Sequence, residues 1–271
     1  MSTDSIEIKK SSPLKAWFPL IVVVLSVVIS FTVFYTIFAS PDNFEGGDPI
    51  KGHPLNFFGT VYKGGFVIPI GIAIHLMLWV FSIERLITIL FLSRGSSSLD
   101  VFVQKVRILL NDGDIDGALQ ACDTQKGSVA NVVRAGLNRY KEVTGNGEDK
   151  ETNSEAIQKD LEEATSLELP MLERNLPFLA TIASLGVLVG LFGTVLGMIK
   201  AFQALSTSGA PDAAALATGI SEALVNTALG IGTSALAIIS YNFFTTTIDG
   251  LTYRIDEAGY SIVQTYETSH S

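Results

Sequence analysis

Glu222 is the one charged residue between Ala213 and Ile248. That run exceeds the roughly 20 apolar residues needed to cross a bilayer. A carboxylate at the centre of a membrane helix costs about 2.5–3.5 kcal/mol even on a lenient scale, and such groups serve as proton relays, ion paths or partners of another buried group. Thr218, Glu222 and Asn226 follow one another at i, i+4 and so share a helix face. Thr227 lies on the flank of that face, and Gly230 and Ser234 continue it. Gly219 and Ala223 keep the neighbouring surface small. The alternative is a permanently protonated Glu222 that only glues helices together. Interhelical hydrogen bonds in lipid contribute about 0.6–2 kcal/mol, which hardly offsets the insertion cost, so the strip points to function. Asn226 reads equally well as interhelical glue and as the lining of a channel.

A second constellation precedes it. Gly186, Gly190, Gly193 and Gly197 form two i, i+4 pairs within residues 176–205. Small residues at that spacing let helix backbones touch, which drives association where lipid removes the hydrophobic force. Thr194 sits among them. Its hydroxyl either faces a polar path or simply bonds back to its own i−4 carbonyl, and spacing alone does not choose.

The chain must therefore place these residues on membrane helices. Charge is nearly absent from four blocks and dense between them, which predicts an all-α membrane protein with four transmembrane helices and cytoplasmic helical extensions. The expected organisation is a cytoplasmic tail at residues 1–16, a first helix at 17–39 and an outer loop at 40–65. A second helix at 66–92, a cytoplasmic helical domain at 93–175 and a third helix at 176–205 follow. A short outer loop at 206–212, the Glu222 helix at 213–247 and a C-terminal cytoplasmic helix at 248–271 complete it. Lys9, Lys10 and Lys15 before the first block resemble the start of a signal peptide. Its apolar run is too long for one, however, and no A-x-A site follows. Residues 93–175 carry ten Lys and Arg while residues 206–212 carry none, so the positive-inside rule puts both termini and the central segment in the cytoplasm. Lys200, near the outer end of the third helix, is expected to snorkel to the interface.

In the central segment Val101, Val103, Val106, Leu109 and Leu110 mark one amphipathic helix, and Ile115, Ala118, Leu119 and Cys122 mark another. Asn111-Asp112-Gly113-Asp114 is the turn between them. Val132, Val133 and Leu137 predict a third helix over Val129–Val143, and Ser154–Leu169 a charged fourth, with Pro170 and Pro177 punctuating its junction with the membrane. Leu251, Ile255, Ala258 and Ile262 form a narrow stripe suited to a partner helix.

Several functions are disfavoured. The net charge of −9 over 271 residues leaves no basic stripe for nucleic acid. Cys122 is the only cysteine, and His53, His75 and His270 show no metal-ligand spacing, so no metal or cofactor is expected. No phosphate-binding loop of the G-x-x-x-x-G-K-[ST] kind occurs, nor any catalytic constellation, and the chain does not read as an enzyme.

The two last spans resemble the MotA/TolQ/ExbB proton-channel family, and most closely its ExbB branch. The resemblance rests on Leu172-Glu173-Arg174-Asn175-Leu176-Pro177, on Gly190-Leu191-Phe192-Gly193-Thr194-Val195-Leu196-Gly197, and on Gly219-Ile220-Ser221-Glu222-Ala223-Leu224-Val225-Asn226-Thr227-Ala228-Leu229-Gly230. Glu84-Arg85-Leu86 is a weaker echo. By that resemblance Glu222 is the intramembrane acid of a proton path and Thr194 and Thr227 its two polar threonines. It implies a homopentamer in a bacterial inner membrane around a dimer of an ExbD-like single-span protein, passing proton-motive work to a TonB-like protein. The chain departs from the family in its additional first span, in Leu185-Gly186-Val187 where Thr-Ala-Pro is frequent, in Asn226 where Thr is frequent, and in Lys200. The competing readings are a TolQ-like envelope-maintenance or gliding stator, and a non-conducting membrane scaffold. A small-solute transporter is weaker, since no inverted repeat is visible.

Overall fold

The computed structural model describes residues 13–89, 95, 98–144, 149–206 and 213–269. Residues 1–12 of the expected tail, residues 207–212 of the short outer loop, and His270 lie outside them. The elements are α1 (Pro13–Val33), α2 (Phe57–Tyr62), α3 (Val67–Leu86), α4 (Leu99–Asn111), α5 (Ile115–Gln125), α6 (Gly127–Val143), α7 (Lys150–Glu173), α8 (Leu176–Ser206) and α9 (Ala213–Ser269). No strand is present among the described residues, and four helices are long and apolar enough to cross a membrane. The protein is an all-α multi-pass membrane protein. It divides into two compact units, Met1–Phe81 with Ala180–Ile238, and Ser82–Leu179 with Ile239–Ser271.

In the first unit α1 continues as a π-helical turn, Phe34–Phe38. Its buried face is Val22, Ser26, Ser30 and Phe34, each four residues from the last, while Leu20, Val24, Leu25 and Val28 point outward. That apolar outer face is what a lipid-facing helix presents. α1 lies along α3, with Phe18 edge-on to Phe81 and Phe31 edge-on to Phe66. The segment between α1 and α3 is ordered by asparagine. Asn43 donates to the carbonyls of Ile37 (2.8 Å) and Phe38 (3.1 Å) and accepts from Asn56 (2.9 Å). Asn56 in turn caps α2 by accepting from the Gly59 N–H. Phe34, Val61 and Ile68 form the core beneath, with Val225 and Leu229 of α9 packed against it.

α8 and α9 meet along their glycines. A Cβ at Gly230 would stand 2.5 Å from the Gly186 carbonyl oxygen, and one at Gly197 would stand 2.7 Å from that of Gly219. The two backbones are therefore in direct contact, and any side chain at these positions would push them apart.

In the second unit α4 to α7 pack with the C-terminal part of α9. Asp114 caps α5 by accepting from the Gly117 N–H, and Gly113 before it takes φ +75°. Val132, Val133 and Leu137 of α6 are fully buried. The face of α4 is rotated from the expected one: Val101 points out and Phe102 turns in, because a 3.6-residue period cannot bury 101, 103, 106 and 110 together. The Leu251, Ile255, Ala258 and Ile262 stripe is buried within the chain itself. Around it Ser154 bonds Glu267 (2.9 Å), Tyr140 packs edge-on to Tyr266, and Arg254 pairs with Asp100 (2.6 Å). α9 runs unbroken past Thr247, since nothing there stops a helix: Asp249 and Gly250 are tolerated inside it.

Candidate functional site

The site lies where α8, α9 and the head of α3 converge. Glu222 is buried, and both of its carboxylate oxygens accept from the Lys200 ammonium, at 2.6 and 2.9 Å. Lys200 therefore does more than snorkel: the glycine seam brings α8 so close to α9 that an ammonium 22 residues upstream reaches the acid. The third wall is Gly65, at φ +75°, where a Cβ would fall 2.2 Å from Glu222 Oε1. Both the backbone conformation and the space demand glycine.

Asn226, one turn along α9, is also buried. Its amide donates to the Gly64 carbonyl at 2.7 Å and to the Glu222 carbonyl at 2.9 Å. Gly193 makes room for it, since a Cβ there would come within 2.4 Å of Asn226 Cβ. The turn that leads into α3 is thus tied to α9 by a side chain, beside the acid.

Thr194 and Thr227 face each other across the α8–α9 seam, hydroxyl to hydroxyl. Thr194 also donates to the Gly190 carbonyl (3.1 Å) and Thr227 to that of Ala223 (3.1 Å), with Thr194 lying 3.4 Å from the same Ala223 oxygen. Each hydroxyl carries one proton, so two protons serve four contacts, and the pair has more than one bonding pattern. Thr194 makes the back-bond to its i−4 carbonyl and also faces the Thr227 hydroxyl.

Not every predicted residue joins this cluster. Thr218 is exposed and bonds its own Ala214 carbonyl at 2.9 Å. Gly190, Gly197 and Gly230 form the seam itself. Ser234 is buried farther along it and donates to the Ala183 carbonyl at 2.6 Å, clamping α9 to α8.

Sequence reasoning missed two further polar groups. His75 of α3 meets Thr233 of α9 (Nδ1 to Oγ1, 3.0 Å) and accepts from the Trp79 indole at 3.1 Å. Because Nε2 accepts, Nδ1 carries the proton and donates to Thr233, whose own hydroxyl donates to the Leu229 carbonyl at 2.8 Å. The i, i+4 spacing of His75 and Trp79 was the available signal. In the second unit Arg85 is almost fully buried, forks onto Glu84 (2.6 and 2.5 Å) and donates to the Leu172 carbonyl (3.0 Å). Asn175 completes this clasp by donating to Glu84 at 3.1 Å.

Among the described residues no cluster of His, Cys, Asp and Glu is placed to hold a metal. Burial pushes the Cys122 thiol up to about 11, which leaves it an inert core residue.

A model of the MotA/TolQ/ExbB proton channel family matches residues 124–257. The Tol-Pal system protein TolQ of Haemophilus influenzae is 33% identical over 184 residues, covering 59% of this chain and 78% of that protein. TolQ of Pseudomonas aeruginosa is 38% identical over 117 residues, 43% of this chain and 51% of the relative. The biopolymer transport protein ExbB of Salmonella typhimurium is 32% identical over 156 residues, 55% of this chain and 64% of the relative. The chain thus spans about half the length of the first of the TolQ proteins by identity and more than three quarters of the other.

Proposed function

Because the chain belongs to the MotA/TolQ/ExbB proton channel family, we propose that it is the stator subunit of an inner-membrane motor in which Glu222 carries the proton. The observation that carries this reading is the burial of Glu222 where α8, α9 and the turn leading into α3 meet, beside the paired hydroxyls of Thr194 and Thr227. A buried carboxylate can hold or release a proton according to its neighbours. The hydroxyl pair can accept and donate in either direction, which suits relay to water or to an acidic side chain of a partner. One charge crossing 100 mV releases about 2.3 kcal/mol, enough to rearrange the hydrogen bonds of one such site. The glycine seam keeps α8 and α9 in contact, so that ions other than a relayed proton find no gap between them.

In this reading both termini and residues 93–175 lie in the cytoplasm and residues 40–65 lie outside. The subunit forms a homopentamer in the lipid bilayer around a dimer of an ExbD-like single-span protein, and a TonB-like protein carries the work to outer-membrane receptors. Glu222→Gln tests it: the assembly forms and energised uptake through outer-membrane receptors is lost. Full uptake by that variant rules the proton role out and leaves a scaffold.

A second reading has its own support. TolQ of Haemophilus influenzae is matched over 78% of its length, against 64% for ExbB of Salmonella typhimurium. A TolQ-like role in envelope maintenance uses the same proton site with a different output. Deleting the gene separates them: loss of receptor-dependent uptake marks the ExbB role, and leakage of periplasmic proteins with intact uptake marks the TolQ role.

A further inference from the structure

Lys200 is not part of the expected proton path, yet it is the residue that occupies the acid. The ammonium meets both carboxylate oxygens of Glu222 at 2.6 and 2.9 Å. Gly65 closes the remaining side, and the Asn226 amide beneath is spent on the Gly64 and Glu222 carbonyls rather than on the carboxylate. With Lys200 in place both carboxylate oxygens face an ammonium at hydrogen-bond distance, which stands across the open side of the acid.

The two partners differ in freedom. The Glu222 side chain is 5% exposed and the Lys200 side chain 55%. Glu222 is walled in by α8, α9 and the turn before α3, whereas Lys200 reaches it from the α8 surface on a flexible four-carbon stem. If the pair opens, Lys200 is the member that leaves.

We propose that Lys200 is a gating residue: its ion pair with Glu222 holds the proton path shut, and its withdrawal opens the acid to protons. This rests on the proton role given to Glu222 above and adds the step that controls it. Energy is then spent only when something draws Lys200 away, and the resting subunit does not leak.

The test uses the complete complex purified from native membranes and reconstituted into vesicles enclosing a pH-sensitive dye, with oligomer size checked for every variant. Lys200→Met and Lys200→Gln raise passive proton entry by about tenfold, a barrier change of about 1.4 kcal/mol. Lys200→Arg, which keeps the charge, stays within about twofold of the native complex, a difference of under 0.5 kcal/mol. Lys200→Met combined with Glu222→Gln returns to the native level, since the leak runs through the acid. Intact Lys200→Met and Lys200→Gln complexes that leak no more than the native one overturn the gate, as does a leak that survives Glu222→Gln. The proton role of Glu222 fails separately, if Glu222→Gln alone retains full energised uptake.

Discussion

Asn226 on α9 donates to the carbonyl of Gly64, 162 residues earlier, at 2.7 Å. That one bond ties the head of α3 to the helix carrying Glu222, and it is made where water cannot replace it. Asn226→Ala orphans the Gly64 carbonyl, and leaving a buried acceptor unsatisfied costs about 1–3 kcal/mol. Thermal unfolding in detergent should show a lower midpoint for Asn226→Ala. Asn226→Gln, which keeps the amide but adds a methylene against Gly193, should also fall below the native protein. A native midpoint for both would remove the structural role given to this bond.

Gly65→Ala should disable the subunit without preventing its synthesis. The new methyl would occupy the space of Glu222 Oε1 and add the strain of a left-handed backbone. Gly46 provides the control: it has φ +69° but nothing within 4 Å, so alanine there carries the backbone strain alone. Energised function is expected to be lost in Gly65→Ala and kept in Gly46→Ala. Equal effects would mean that displacement of Glu222 is not the cause.

Arg85 links the end of α3 to the turn between α7 and α8 through Glu84, Leu172 and Asn175. Removing one member of a buried charge pair costs about 3–5 kcal/mol, whereas replacing both with apolar groups of similar size is often nearly neutral. Arg85→Met should therefore lower stability more than Arg85→Met with Glu84→Leu. Denaturation of the four species as a double-mutant cycle measures the coupling, and additive effects would show that the clasp is not a unit.

Asp48 outside α1 predicts a pH dependence. Two backbone N–H groups, of Ile50 (2.8 Å) and Lys51 (3.2 Å), hold its carboxylate below the usual range. A depressed folded-state value stabilises the loop above the unfolded value, and that contribution is lost as pH falls through the folded one. Protection of the Ile50 and Lys51 amides, measured as exchange relative to the intrinsic rate at each pH, should fall on acidification below about pH 4, the ordinary carboxylate value. In Asp48→Ala that protection should already be low at neutral pH and should not change with acid.

Much of the architecture was legible because it depends on local properties. Four apolar runs, the helix periods of α5 and α6, the Gly113 turn and the Asp114 cap all follow from neighbours within a turn or two of chain. The glycine ladder of α8 announced a close helix contact, and the Glu222 strip announced that a polar group must be covered. The loop built on Asn43 and Asn56 was not legible, because two asparagines 13 residues apart carry no period. The outward turn of Val101 in α4 was legible in principle, since a 3.6-residue period sets it across the helix from Val103, Val106 and Leu110, and counting apolar residues without that period misplaces it.

The sequence by itself determined that an acid lies in a membrane helix beside small residues and that two threonines accompany it, since composition and helical spacing are one-dimensional. Which groups touch that acid was decided only by tertiary structure. Lys200 is 22 residues from Glu222, Gly64 is 162 from Asn226 and Thr233 is 158 from His75. Such contacts depend on how far α8 and α9 approach and on the rotation of each helix about its axis. Those are set jointly by every glycine and side chain along the seam, so Lys200 reads from sequence as a surface cation and from structure as the partner of the buried carboxylate.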